Sequence, residues 1–108
     1  MSFSIIATPN FERELKKIAK KYPSLKSDLL QLQRSLLENP MQGDEVFKNC
    51  YKVRFAIKSK GRGKSGGGRL ITYVKVQRES IYLLSIYDKS EKDTIPDEMI
   101  RYLLRDIS

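Results

Sequence analysis

Between Tyr51 and Arg69 (YKVRFAIKSKGRGKSGGGR) an alternating strand pattern runs into a glycine-rich loop, and a second strand pattern begins where the loop ends. Tyr51, Val53, Phe55 and Ile57 share one parity, while Lys52, Arg54, Ala56 and Lys58 share the other. A strand with this pattern has one core face and one cationic face. After the loop, Leu70, Thr72, Val74 and Val76 alternate with Ile71, Tyr73 and Lys75, and Ile81–Tyr87 (IYLLSIY) makes a further apolar strand behind the tight link 78–80. Strands joined so closely pair antiparallel, so a three-strand meander is expected. Gly61, Gly63 and Gly66 satisfy G-x-G-x-x-G, but a strand follows them where a dinucleotide-binding unit needs a helix. The Walker phosphate loop is excluded too, because Lys58 stands where its first glycine belongs. A kinase-type glycine loop does join antiparallel strands, but the chain is far too short for a kinase.

The remaining segments supply the layers that cover such a sheet. Phe3–Ala7 reads as a first strand, and Pro9 opens a helix with Thr8 or Asn10 as its cap and Glu12 and Glu14 near its positive end. Phe11, Leu15, Ile18, Ala19 and Tyr22 recur at helical spacing, and Pro23 stops the helix. Ser24 is placed to cap a second helix whose Leu25, Leu29, Leu32 and Leu36 form a stripe flanked by Leu30 and Leu37, ending at Asn39-Pro40. Burial against the chain's own sheet is the expected fate of that stripe, with an oligomer seam as the alternative. Residues 41–44 read as a turn-rich link. Thr94-Ile95-Pro96-Asp97 is a capping-box pattern for a last helix with Met99, Ile100, Leu103, Leu104 and Ile107 on its apolar face. The expected order is β-α-α-β-β-β-α, an α+β fold with a helical hairpin packed on a mostly antiparallel sheet, in one domain spanning residues 1–108.

Charge narrows the chemistry. From Val46 to Arg78 there are ten basic residues and no acid, so the rest of a chain totalling +8 nets −2. Basicity concentrated in this way is the footprint of a surface that meets phosphates. There is no histidine and one cysteine, Cys50, which excludes disulfide frameworks, Cys/His zinc sites and every nucleophile system built on imidazole. Cys50 is read as a small packed residue rather than a reactive thiol. No charged-then-apolar leader opens the chain and the apolar runs are short, so a cytoplasmic protein is expected.

Two readings of the loop stand side by side. It is a solvated tip whose charges keep the protein soluble, or it is a grip in which backbone N–H groups and Lys58, Lys60, Arg62 and Lys64 close on a phosphate backbone. A cationic surface can also be a catalyst. RNA cleavage requires a deprotonated 2′-hydroxyl, a stabilised phosphorane and a neutralised leaving oxygen. Crowded lysines exchange protons, arginines supply fixed bidentate charge, and tyrosines add stacking faces.

Three stretches, YKVRF, KSKGRGKSGGGRLITY and IYLLSIYDKSEKD, together with the helical hairpin, resemble the RelE/ParE superfamily of toxins from bacterial type II toxin–antitoxin modules. The G-x-G-K-x-G-G-x-R loop is similar to the HigB-type, RelE-like branch. The resemblance implies a ribosome-dependent endoribonuclease that cuts mRNA in the A site by 2′-hydroxyl attack, with no metal or other cofactor. It implies a monomeric free toxin and a cognate antitoxin, expected to be a helix-turn-helix protein. Residue by residue, Lys52 and Arg54 match positions of proton transfer and phosphate contact, Arg69 the transition-state arginine, and Lys89 a basic residue that neutralises the leaving group. Ile95 stands where RelE carries a tyrosine that stacks on mRNA, and either Tyr87 or Tyr73 takes that part. A non-catalytic gyrase poison of the ParE type, or a nucleic-acid-binding module, is the competing expectation, because one fold carries both activities.

Overall fold

The computed structural model describes residues 2–107 and sets the expected hairpin inside a five-stranded sheet. β1 (Ser4–Ala7), α1 (Pro9–Lys21), α2 (Leu25–Glu38), β2 (Asp44–Phe47), β3 (Cys50–Phe55), β4 (Gly68–Lys75), β5 (Ser80–Asp88) and α3 (Asp97–Leu104) follow one another along the chain. The sheet order is β1-β5-β4-β3-β2, antiparallel throughout except for the β1–β5 pair. The α+β class and the meander agree with the sequence reading. β2 does not, because residues 41–44 read only as a link. Its four residues, DEVF, are too few and too acidic to display a strand period, and within the sheet the segment pairs with β3 alone.

The helices are positioned by their caps and by one apolar face each. The Thr8 hydroxyl accepts the Phe11 N–H at 3.3 Å, so Thr8 is the cap of α1, and Asn10 instead donates to the Leu84 carbonyl. Ser24 does not cap α2: it has helical φ and ψ, and its hydroxyl donates to Asp28 at 2.7 Å. Leu25, Leu29, Leu32 and Leu36 are buried with Phe11, Ile18, Val53, Phe55, Leu70, Ile81, Leu83 and Ile86 in the core between the helical hairpin and the sheet. The stripe is thus committed to the chain's own core, while the flanking Leu30 and Leu37 are exposed.

A second core lies on the opposite sheet face, where α3 covers Cys50, Ile71, Leu84 and Tyr87 with Ile95 and Ile100. The capping box before α3 does not form, since Pro96 holds the cap position and no side chain caps the helix. Met99, expected on its apolar face, points to solvent. A β-bulge lets β5 serve both cores. Its register against β4 slips so that Leu84 has no partner, with Ile71 opposite Ser85 and Thr72 opposite Leu83. The bulge frees the Ile86 N–H, which donates to the Glu14 carboxylate at 3.3 Å, as does the Ser85 hydroxyl at 2.7 Å. Glu14 is thus a sheet ligand as well as an acid near a helix start.

Leu36 is fully buried in the first core. Leu36→Ala is expected to lower unfolding stability by about 2–5 kcal/mol in urea titration, whereas Met99→Ala should stay within about 0.5 kcal/mol of the parent.

Candidate functional site

Antiparallel register decides which cations meet. Arg54 on β3 lies opposite Arg69 on β4, and Arg69 lies opposite Tyr87 on β5, so the three form one row across the sheet. Residues paired in this way project from the same face with Cβ atoms about 5 Å apart. Lys52, two residues from Arg54, lies on that face one row nearer α3. The Lys89 N–H donates to the Gly67 carbonyl at 3.1 Å, which holds the first residue of the turn after β5 beside the start of β4. Four residues named from the sequence, Lys52, Arg54, Arg69 and Tyr87, therefore share one patch contributed by three strands, and Lys89 follows directly in the turn after β5.

Their environments differ. Arg54 reaches into solvent, its Nη2 3.7 Å from an equally solvated Asp44 carboxylate, a contact of little energetic weight. Lys52 donates from Nζ to the Asp93 backbone carbonyl at 3.2 Å. The buried Tyr87 hydroxyl donates to that same carbonyl at 3.2 Å. Burial, helped by the nearby Asp93 carboxylate, pushes the Tyr87 phenol up to about 12. Near neutral pH Tyr87 is therefore a hydrogen-bond donor and not a base.

Arg69 is only 3% exposed. Its Nη1 donates to the carbonyls of Lys64 at 3.0 Å and Gly68 at 2.9 Å, and its Nη2 to Ser65 at 3.1 Å. Nε has no hydrogen-bond partner and faces the Asp93 carboxylate at 3.6 Å. The arginine at the end of the loop thus folds back to hold the loop, leaving one edge of its guanidinium directed at the site.

The glycine loop is tied down at its base. The Lys58 N–H donates to the buried Asp28 carboxylate at 3.0 Å and the Ser59 N–H to the Ser24 hydroxyl at 2.8 Å, which fastens the loop to the start of α2. At Gly67 a Cβ would lie 2.3 Å from the Phe55 carbonyl oxygen, and at Gly68 2.4 Å from the Phe55 ring, so the loop closes only without side chains there. Lys58, Arg62 and Lys64 are exposed, as a phosphate grip requires. Arg54, Lys58 and Lys64 also rim a groove of about 250 Å³ between α2 and the loop, floored by Leu32 and Phe55.

Lys60 is placed differently from its neighbours. Its Nζ lies 2.5 Å from Asp88 Oδ1, on the helical-hairpin side of the sheet, and its side chain is 12% exposed. Asp88 is fully buried and also accepts from the Tyr22 hydroxyl at 2.5 Å and from the Ser90 N–H and hydroxyl at 3.0 and 2.9 Å. Desolvation raises the carboxyl, but Lys60, Tyr22 and Ser90 together hold it well below the usual carboxylate range. Lys60 is thus committed to an internal ion pair, and the phosphate grip is left with Lys58, Arg62 and Lys64. Asp88 was not singled out from the sequence; the available signal was a lone carboxylate closing an apolar strand. Tyr73 is set apart as well, about 13 Å along β4 from Arg69 at strand rise, with its ring 5.9 Å from that of Tyr82. Of the two tyrosines considered, only Tyr87 lies in the row, while Ile95 is part of the second core.

No protein-family model matches the chain. Its structure is similar over its whole length to that of a free Escherichia coli toxin RelE carrying two arginine-to-alanine substitutions, with a TM-score of 0.63 at 17% identity and full coverage of both chains. In the intact E. coli RelBE toxin–antitoxin complex, 82% of this chain matches 96% of one chain, with a TM-score of 0.60 at 16% identity. The RelBE2 toxin–antitoxin complex of Mycobacterium tuberculosis gives 0.60 at 14% identity, over 82% of this chain and 99% of that one. The likeness extends over helices and sheet alike and establishes a RelE-like fold.

Two measurements separate scaffold from site. Arg69→Ala should cost about 2–3 kcal/mol in urea unfolding and speed amide exchange across residues 61–67. Asp88, whose folded value is depressed, contributes stability that is complete above the unfolded carboxyl value of 3.8 and fades as pH falls below it. Asp88→Asn should therefore lose about 3–5 kcal/mol at neutral pH, and below pH 4 its stability should depend less on pH than that of the parent.

Proposed function

We propose that this chain, which carries a RelE-like fold, is the toxin of a type II toxin–antitoxin module, of the HigB-type branch, and cleaves mRNA in the A site of translating ribosomes. The observation that carries the reading is the row Arg54–Arg69–Tyr87, flanked by Lys52, on one face of the sheet, with Lys89 in the turn directly after β5. Such a patch suits attack of a 2′-hydroxyl on its own 3′-phosphate, forming the cyclic phosphate and expelling the 5′-oxygen of the next nucleotide. Lys52 is the amine set to exchange the 2′-hydroxyl proton, because a guanidinium does not deprotonate. Arg54 and the Nε edge of Arg69 offer fixed positive charge to the phosphorane, where negative charge builds up. Lys89, in the turn after β5, neutralises the leaving oxygen. Tyr87 donates from its hydroxyl and stays protonated throughout.

The exposed Lys58, Arg62 and Lys64, with the groove beside α2, extend the positive surface beyond the reacting phosphate and suit a longer run of RNA backbone. The antitoxin is a helix-turn-helix protein that presents acidic residues to this surface, and both act in the cytoplasm. One feature favours a non-catalytic binder of the ParE type: Lys52, Tyr87 and Arg69 are already engaged with Asp93 and the loop.

A purified translation system distinguishes the readings. The expected result is mRNA cut at the A-site codon, falling by about 10²-fold or more in Arg54→Ala, whose exposed side chain leaves folding intact. Message that stays whole in the presence of ribosomes and wild-type protein rejects the nuclease reading, and DNA damage without message loss in cells favours the gyrase reading.

A further inference from the structure

Residues 89–96 cross the candidate site as an irregular strap, fastened at one end by the buried Asp88 and at the other by the buried Ile95. The Asp88 carbonyl accepts the N–H groups of Glu91 at 3.0 Å and Lys92 at 3.4 Å, which turns the strap back over the row. At its far side stands Asp93. Its backbone carbonyl takes hydrogen bonds from both Lys52 Nζ and the Tyr87 hydroxyl, and its carboxylate faces Arg69 Nε. One residue thus sets its oxygens against three groups that would serve a phosphate, hydrogen-bonding two of them and facing the third.

We infer that Asp93 is an internal surrogate for the RNA phosphate, occupying the anion seat of the free protein and leaving it when RNA binds. The inference rests on the reading of the row as an RNA-phosphate site and names how that site is regulated. The fit is incomplete in a telling way. Arg69 is almost wholly buried, yet its Nε makes no hydrogen bond, because 3.6 Å to Asp93 is too long for one. A buried donor without a partner is costly, so an anion able to approach more closely gains what Asp93 forgoes. The Asp93 side chain is 62% exposed, and residues 90–94 of the strap are exposed as well, so little apolar burial holds the occupant down. Asp88 contrasts with it: fully buried and bound by Lys60, Tyr22 and Ser90, it anchors the strap and does not exchange. An occupant that must leave reduces apparent affinity by the fraction of molecules whose seat is empty.

The test uses an uncleavable 2′-O-methyl RNA trinucleotide as the probe, titrated into the full chain and followed at the Arg69 Nε–H resonance. Asp93→Asn keeps the size and the backbone carbonyl, Asp93→Ala removes the whole carboxyl, and Glu91→Gln makes the same charge change elsewhere on the strap. Asp93→Asn and Asp93→Ala should each bind the probe about tenfold tighter and cut message faster on ribosomes, while Glu91→Gln shifts affinity less than about twofold. Unchanged or weaker binding in both Asp93 variants overturns the inference, as does an equal gain in Glu91→Gln, which marks a general charge effect. If wild type cuts message and the Asp93 variants bind no tighter, the surrogate role fails while the nuclease reading stands. If binding tightens and neither form cuts message, the surrogate role stands and the nuclease reading fails.

Discussion

The register between β3 and β4 places two arginines directly opposite each other, and much of the local structure follows from how that repulsion is relieved. Like charges paired across strands destabilise a sheet when both stay on the same surface. Here Arg54 extends into solvent, and Arg69 turns its guanidinium into the loop, where three carbonyl oxygens receive it. The loop in turn owes its shape to that guanidinium, since the carbonyls of Lys64, Ser65 and Gly68 converge on it. Gly67 and Gly68 permit the close approach to Phe55 that brings the loop ends together. Loop closure and site geometry are therefore one problem with one solution.

The end of β5 repeats the theme on both faces of the sheet. Tyr87 and Asp88 point to opposite sides, as strand alternation demands, so one belongs to the cationic row and the other to the helical-hairpin face. On the hairpin face Asp88 neutralises Lys60 largely shielded from water and binds the end of α1 to the loop through Tyr22. On the site face the opposing acid is Asp93, on an exposed strap and at longer range. Separating Lys60 from Asp88 strands a buried ion, whereas Asp93 is itself largely solvated and its departure leaves Arg69 still bound by three loop carbonyls. The molecule thus separates a permanent electrostatic tie from a replaceable one across the thickness of a sheet.

A shared fold does not assign an activity, because sites are built on folds rather than implied by them. The likeness to RelE structures concerns helices and strands, while the proposed chemistry depends on which side chains the register aligns. Ile95 illustrates the difference. Where RelE-type resemblance leads one to look for a stacking tyrosine, this chain has a residue buried in the second core, and the tyrosine within the row, Tyr87, is itself buried and raised in pKa.

Much was legible in the sequence because short-range periodicity and turn chemistry are local properties. Alternation identified the meander, helical spacing identified Leu25, Leu29, Leu32 and Leu36 as core, and the hairpin argument joined Lys52 and Arg54 to Arg69 across a loop. β2 was invisible because four residues carry too little period, and the bulge at Leu84 because a slip in register exists only between strands. The commitments of Lys60 to Asp88 and of Asp93 to Lys52, Tyr87 and Arg69 were equally hidden, since they join residues 28, 41, 6 and 24 positions apart through space. Sequence alone determined which residues are cationic, which faces are apolar and where the chain turns. Tertiary structure alone decided which of those cations are free, because a charge is neutralised by whatever the fold brings beside it and not by its neighbours in the chain.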